Sequence, residues 1–232
     1  DRSGGLGRGD TNMLVDFWSD FDTSSGWYIH PEDHIAEGRI HPPLKSSQSY
    51  ADAFRSGELF DDKFHSTLLP KPYAGDLKCA EILILLLNPG LAGENFKTEF
   101  EDADYRAAII GALKQTYLDH YFLDPKWAWT GGFIWWEQKL RGLAQEIAER
   151  QSDLSYFEAL KLIASRMAWI ELVPYHSMSY RGKTDFRSSE VAKEYVHHQA
   201  HNTDRLIIVT RSVRLWGFGE YQGSSNLVLY SS

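Results

Sequence analysis

The sequence predicts an α/β protein with a three-layer αβα architecture, in which helices cover both faces of a four-stranded, mainly parallel sheet. Short apolar segments of strand length alternate with longer segments of helical spacing, which is typical of βαβ units. The first apolar segment, residues 81–88, is continuous, as expected for a strand buried on both faces. The 232 residues are 43% hydrophobic and 24% charged, which suffices for one sizeable core.

The N-terminal part of the chain gives a weaker pattern. Residues 1–12 are Gly-rich and polar and are expected to form a flexible tail outside the fold. Residues 13–75 are interrupted by His-Pro, Pro-Pro and Lys-Pro pairs, which predicts an irregular wrap with one or two short helices. We expect this wrap to pack on a βαβ core of residues 76–232, so that residues 13–232 form a single domain.

The core elements follow in order. The first strand ends at Asn88-Pro89-Gly90, and Asp104 is a candidate N-cap for a helix that continues to residue 122. Either Ser188 or Ser189 is expected to cap the last helix, which extends to about residue 202. The remaining predicted elements are helices over residues 133–150 and 154–167 and strands over residues 169–173, 206–210 and 226–230.

The charge and cysteine content narrow the class of protein. The net charge is −8, which disfavours tight nonspecific binding to nucleic acid because that affinity comes mostly from neutralised phosphates. The longest apolar run, residues 82–87, is far shorter than the ~20 residues of a membrane span. The single cysteine, Cys79, cannot form an internal disulfide, so a reducing, cytoplasmic location is expected.

Residues that directly follow the predicted strands are the best candidates for a binding site, because ligands bind beyond the carboxyl ends of strands in open parallel sheets. Four segments should therefore converge: residues 88–91, 174–177, 211–214 and 231–232. The final third of the chain also carries a group of basic residues that would attract an anionic partner: Arg181, Lys183, Arg187, Arg211 and Arg214.

The segment LLLNPGLAG resembles the first motif of the uracil-DNA glycosylase superfamily, particularly its mismatch-specific branch. In that branch a first strand ends in Asn-Pro-Gly-Leu, as at residues 88–91. The resemblance implies a uracil-DNA glycosylase-like fold and an enzyme that hydrolyses the N-glycosidic bond of uracil or a related damaged base in DNA. Its expected partner is DNA, and no cofactor or metal is expected.

The resemblance also implies roles for individual residues. Asn88 would hold the attacking water, and Ser231 would act with it as a catalytic residue. Gly90 has no side chain, so the backbone beside it could approach a ligand closely. The implied base pocket comprises Pro89, Gly90, Leu91, Phe96, Phe100, Tyr175 and His176, with Phe96 or Phe100 stacking on a flipped base. The implied DNA contacts are Arg181, Lys183, Arg187, Arg211, Arg214 and Ser232.

Other interpretations stay open. Asn-Pro-Gly is also a common tight turn, and Ala92 stands where the mismatch-specific branch tends to have Ser. A noncatalytic module could use the same pocket to bind a nucleobase, nucleic acid or protein, and an unrelated α/β enzyme is a third possibility. The family's second motif ends in a wedge residue, whereas this sequence ends Tyr230-Ser231-Ser232. A wedge loop after Ser232 would favour the enzyme over the binding module.

Several other motifs are weak. His197 and His201 have the spacing of a metal-binding helix but lack the Glu of HExxH, so a solvated helical face is expected. The RGKT segment lacks the first glycine of a phosphate-binding loop, which excludes that motif. Trp135 and Trp136 are expected to be packing residues, with the alternative that one of them lines a cleft.

Overall fold

A computed structural model describes residues 13–180, 185–219 and 225–230. Within these ranges the chain forms five strands: β1 (Tyr73–Ala74), β2 (Ile82–Leu86), β3 (Met167–Glu171), β4 (Leu206–Val209) and β5 (Leu227–Leu229). The same ranges contain seven α-helices: α1 (Met13–Ser19), α2 (Ser47–Ser56), α3 (Asn95–Phe100), α4 (Ala103–Leu113), α5 (Gly131–Arg150), α6 (Tyr156–Ser165) and α7 (Arg187–Asn202). The predicted α/β class is confirmed.

The strands form one mixed sheet in the order β1-β3-β2-β4-β5. Strands β2 to β5 are parallel to one another, and β1 pairs antiparallel with β3. The prediction of a four-stranded sheet is therefore wrong in its count. Strand β1 has only two residues, which is too short to show the alternation of apolar and polar residues that identifies a strand.

Helix α4 is shorter than its predicted counterpart. Its N-cap is Asp102 rather than Asp104, because the Asp102 carboxylate accepts a hydrogen bond from the Tyr105 N–H at 2.9 Å. It ends at Leu113, and the chain then turns through Gln115, whose φ is +50°. Tyr121–Leu123 forms a separate 3-10 turn, although residues 121 and 122 were predicted to belong to the α-helix.

Helix α7 begins without a side-chain cap. The predicted caps, Ser188 and Ser189, lie inside its first turn. The Ser188 hydroxyl donates to Asp33 at 2.5 Å, and the Ser189 hydroxyl donates to the Leu172 carbonyl at 2.7 Å. Both hydroxyls therefore join α7 to other parts of the fold, which is a tertiary role that a local sequence pattern does not reveal.

The N-terminal region packs on the sheet and its helices, and contains the short helices α1 and α2. One cluster of buried apolar side chains includes Leu14 and Trp18 of α1 together with Leu83 of β2 and Val209 of β4. Asp33 accepts hydrogen bonds from the Tyr175 hydroxyl and from the Ser188 N–H. The N-terminal region is thus tied to the segments that follow β3.

The parallel strands place the loops after β2, β3 and β4 at one edge of the sheet, because parallel strands end on the same side. The ladder continues beyond the strand ends, where the Val173 N–H donates to the Leu87 carbonyl at 2.9 Å. This pairing brings Asn88 next to the segment that follows β3. None of the helices in the described ranges is both long enough and apolar enough to cross a bilayer.

Candidate functional site

A cavity of about 260 Å³ lies at the carboxyl edge of the sheet. Its walls come from the segment before β1, from the loops after β2, β3 and β4, and from the first turn of α5. The lining residues are Lys71, Leu86, Asn88, Pro89, Gly90, Leu91, Ala92, Asn95, Phe122, Gly131, Gly132, Trp135, Trp136, Glu171, His176 and Arg211.

Asn88 is held by the loop after β3. Its Nδ2 donates to the Ser177 carbonyl at 3.3 Å and to the Ser177 hydroxyl at 3.1 Å. A carbonyl oxygen can only accept, so the amide nitrogen must face Ser177 and Oδ1 is left as a free acceptor. No residue in the described part of the chain donates to Oδ1. The side chain is therefore oriented but retains one acceptor with which to bind water.

The Asn-Pro-Gly-Leu loop has a fixed backbone. Gly90 has φ +67°, a left-handed conformation that favours glycine, and an added Cβ would meet nothing within 4 Å. Backbone geometry, and not crowding, therefore requires glycine here. The His176 Nδ1 donates to the Gly90 carbonyl at 2.7 Å, so the loop after β3 also fixes this turn.

The far end of this loop is held as well. The Tyr50 hydroxyl of α2 donates to the Ala92 carbonyl at 2.8 Å, and the Ala92 N–H donates to Asn95 Oδ1 at 2.5 Å. Hydrogen bonds therefore fix both ends of residues 88–95, which form one wall of the cavity.

A buried ion pair lies behind the wall. Lys71 Nζ is 2.8 Å from Glu99 Oε1, and both side chains are almost completely buried. Glu99 Oε2 accepts from the Leu69 N–H at 2.9 Å. Burial alone would raise the pKa of the Glu99 carboxyl, but the charge of Lys71 outweighs it and holds that pKa below its usual range. Glu99 is therefore ionised at neutral pH.

His176 lies between the loop and this ion pair. Its Nε2 is 3.5 Å from Glu99 Oε1, while its Nδ1 bonds to Gly90. Complete burial, together with the Lys71 charge, lowers the pKa of His176, although Glu99 opposes the effect. We therefore treat the imidazole as neutral at neutral pH, with its proton on Nδ1.

Glu171 is the last residue of β3 and lines the cavity with only 4% of its surface exposed. Its Oε2 has no hydrogen-bond partner among the described residues. Burial raises the pKa of Glu171 well above its usual range, and the charges of Arg211 and Lys71 offset this only in part. The shift favours the protonated, neutral form of this carboxyl.

The first turn of α5 approaches the cavity through two glycines. A Cβ on Gly132 would lie 2.2 Å from the Phe122 ring, so only glycine fits against that ring. The Gly131 N–H donates to Glu94 Oε1 at 2.5 Å. The glycines thus allow Phe122 and Trp136 to line the same cavity.

Six of the residues predicted from the sequence meet in this cavity: Asn88, Pro89, Gly90, Leu91, His176 and Arg211. Arg181, Lys183, Ser231 and Ser232 lie outside the described residues. The other predicted residues lie away from the cavity.

Phe96 and Phe100 are not part of the cavity lining. Phe96 is buried in a small separate cluster with Tyr50 and Leu68, and Phe100 stacks on it with ring centroids 4.3 Å apart. Helix α3 directs both rings toward α2, and this short helix was not predicted. The aromatic side chains of the lining are instead Phe122, Trp135 and Trp136.

Tyr175 is a buried core residue outside the lining. Its hydroxyl donates to Asp33 and accepts from the His30 N–H at 3.1 Å. It therefore joins the N-terminal region to the loop after β3, while its neighbour His176 lines the cavity.

Two of the predicted basic contacts also lie elsewhere. Arg187, at the start of α7, pairs with Glu190 and Glu194 at 3.2 Å each. Arg214 is exposed in the turn after β4, outside the cavity lining.

Sequence analysis missed the charged lining residues Lys71 and Glu171. Glu171 had a usable signal, since it is the only charged residue in the apolar run of residues 167–173. Trp136 is buried in the core, as expected for a packing residue, and it also lines the cavity together with the exposed Trp135.

Two histidines of α7, His197 and His201, bond to backbone carbonyls. His197 Nε2 lies 2.8 Å from the Trp216 carbonyl, and the His201 imidazole bonds through Nδ1 to the His197 carbonyl at 2.7 Å. Across the described ranges, no group of three or more His, Cys, Asp or Glu side chains is arranged to hold a metal.

Comparisons of the chain with protein-family models, with curated proteins and with solved structures found no match. The cavity chemistry therefore carries the functional argument.

Proposed function

We propose that the cavity receives a nucleobase flipped out of DNA, uracil or a related damaged base, and hydrolyses its N-glycosidic bond. The observation that carries this proposal is the orientation of Asn88. Its amide nitrogen is bonded to Ser177, and its oxygen is left to hold a water molecule beside the cavity.

The size and lining of the cavity suit a nucleobase. Its volume of about 260 Å³ is below the ~300–1,000 Å³ typical of drug-sized ligands, so it fits a small ring system. Phe122, Trp135 and Trp136 supply apolar surface for a planar ring, and Glu171 and Arg211 supply polar groups.

Bond cleavage would use this arrangement directly. Water held by Asn88 forms a bond to the sugar carbon through its oxygen as the bond between that carbon and the base nitrogen breaks. The base leaves with the bonding electron pair, and it takes up the proton that the water loses. The amide orients the water but does not strongly activate it. Positive charge near the departing base lowers the barrier. Arg211 and Lys71 supply that charge, although Lys71 shares it with Glu99.

The order of elements adds support at the level of the fold. The Asn-Pro-Gly-Leu segment follows the first of four parallel strands, and the segment containing His176 follows the second along the chain. This is the arrangement that the resemblance to the uracil-DNA glycosylase superfamily implies. A three-layer glycosylase-like fold is therefore part of the proposal.

The test is a strand-cleavage assay on single- and double-stranded oligonucleotides that contain one uracil, with alkaline treatment to break abasic sites. We expect cleavage by the parent protein and a loss of about a hundredfold or more in Asn88→Ala, because that change removes the group that orients the water. Asn202→Ala is the matched control, since Asn202 lies at the exposed end of α7.

Parent-level cleavage by Asn88→Ala, or no cleavage by the parent on either substrate, would contradict the proposal.

The second candidate function is a module that binds a nucleobase without catalysis. This candidate is favoured because the electrostatic attraction of the protein for DNA is weak. The chain is acidic overall, and Arg187 is already paired with two glutamates. Binding of a nucleobase without cleavage of the oligonucleotide would support this noncatalytic module.

A further inference from the structure

We propose that Glu171 is the specificity-determining residue of the cavity, and that as a neutral carboxylic acid it pairs with a base edge presenting an N–H beside a C=O. This inference deepens the proposed function, since it assumes that the cavity receives a nucleobase. It defines the ligand class as uncharged lactams and imides, of which uracil is the smallest common base.

Glu171 lies at the carboxyl end of two interior strands of the sheet, opposite Leu86 in the register of β2 and β3. Its side chain lines the cavity, yet the residue is only 4% exposed. A polar group at this position is shielded from bulk water and accessible to a ligand in the cavity.

Among the described residues, the Glu171 carboxyl has no ion-pair partner and its Oε2 has no hydrogen-bond partner. Buried polar side chains are hydrogen-bonded in the large majority of cases, so an unpaired one requires an explanation. Within the described ranges, Oε2 accepts no hydrogen bond and neither carboxyl oxygen lies within 4 Å of a cationic nitrogen. A structural role through hydrogen bonding or ion pairing is therefore not visible.

The charged and titratable groups around Glu171 come from four segments. Lys71 precedes β1 and is held by Glu99 at 2.8 Å, and Arg211 follows β4 at the exposed side of the cavity. Tyr121 lies in the adjacent 3-10 turn, and the neutral His176 follows β3. Burial outweighs the two cations and raises the pKa of Glu171, which favours the protonated carboxyl.

The hydrogen-bonding groups of a protonated Glu171 carboxyl are complementary to those of the uracil edge. A protonated carboxyl offers one O–H donor beside one carbonyl acceptor, whereas a carboxylate offers only acceptors. The protonated form makes two hydrogen bonds to the N3–H and adjacent carbonyl of uracil. A carboxylate would place an anionic oxygen against that carbonyl. Glutamine offers the same pair of groups and does not titrate.

The experiment measures binding of free bases by calorimetry, using 1-methyluracil and 1,3-dimethyluracil. Methylation at N1 blocks the position of the sugar and preserves the recognised edge, whereas methylation at both nitrogens leaves no N–H donor on the ring. We expect the parent to bind 1-methyluracil at least about tenfold more tightly than 1,3-dimethyluracil, because the second ligand leaves the Glu171 carbonyl oxygen without a donor.

Two variants separate recognition from structure. Glu171→Gln should bind 1-methyluracil within about threefold of the parent, because the amide keeps one donor and one acceptor. Glu171→Met should lose at least about tenfold in affinity while unfolding at a higher temperature, because an unpaired buried carboxyl is replaced by an apolar side chain.

The dependence on pH gives a further readout. The affinity of the parent for 1-methyluracil should fall as the pH rises through the raised pKa of Glu171. The affinity of Glu171→Gln for the same ligand should not fall over this pH range. Unchanged discrimination in Glu171→Met, lost binding in Glu171→Gln, or no preference by the parent would each overturn the proposal.

These outcomes are distinct from a failure of the proposed function. Asn88-dependent strand cleavage with unchanged base selectivity in Glu171→Met would refute only the role of Glu171. Glu171-dependent base binding without strand cleavage would refute only the hydrolase and leave a base-binding module.

Discussion

Individual buried polar residues give this cavity its chemistry, and each is set by its immediate neighbours. Glu99 is ionised because Lys71 lies 2.8 Å away and the Leu69 N–H bonds its other oxygen. Glu171 is also buried, but its Oε2 has no hydrogen-bond partner among the described residues, and burial raises its pKa well above the usual range. The pKa values of Glu99 and Glu171 are thereby shifted in opposite directions, which is the pattern that separates acidic and basic roles in a site.

A pH effect on stability follows from another buried residue, His120, which packs between Trp136 and Trp169. Burial lowers the pKa of His120 to about 3, against about 6.5 in an unfolded chain. The unfolded state therefore binds more protons between these values. The free energy of unfolding should thus fall as the pH drops below about 6.5, by about 2 kcal/mol at pH 5 from this residue alone.

His120→Phe should remove this part of the pH dependence, as measured by urea denaturation at pH 7 and pH 5. His34→Phe makes the same substitution at an exposed histidine and serves as the control. An unchanged difference between the two pH values in His120→Phe would show that the buried imidazole does not cause the acid sensitivity.

At the scale of elements, two of the three glycines of helix α5, Gly132 and Gly142, have different surroundings. Gly132 faces the Phe122 ring at a distance that excludes a Cβ, whereas Gly142 has open space around it. Gly142→Ala should stabilise the protein by about 0.5–1 kcal/mol, because alanine is the better helix former. Gly132→Ala should instead destabilise it, because the Phe122 ring must move.

Thermal unfolding of the two alanine variants tests this contrast. Because Phe122 lines the cavity, Gly132→Ala should also weaken binding of 1-methyluracil, whereas Gly142→Ala should leave binding unchanged. Equal stability effects at the two positions would mean that α5 does not pack on Phe122 as described.

Elements with a strong local signal were predictable, and those made by tertiary contacts were not. The apolar run of β2 and the amphipathic α5 are visible in the sequence, and so is the turn at Asn88-Pro89-Gly90. Strand β1 depends on pairing with β3, and the start of α7 depends on Asp33, which is 155 positions away. Phe96 was predicted to face the site, but an unpredicted short helix turns it toward α2.

At the scale of the whole molecule, the parallel strands bring distant segments of the chain to one edge of the sheet. Asn88, His176 and Arg211 follow three different strands and meet in one cavity. That convergence could be predicted, since it depends only on the order and direction of strands. Lys71 could not be assigned in advance, because its role depends on burial and partners that a linear pattern does not specify. Glu171 could be noticed as the one charge in an apolar run, but its lack of a partner could not.

The most direct test of the central claim is to quantify free base released from a single-stranded uracil oligonucleotide by mass spectrometry. We predict uracil in amounts equal to the abasic sites formed, with release lost in Asn88→Ala and retained in Asn202→Ala. Strand breaks without free uracil, or release that does not depend on Asn88, would contradict hydrolysis of the glycosidic bond in this cavity.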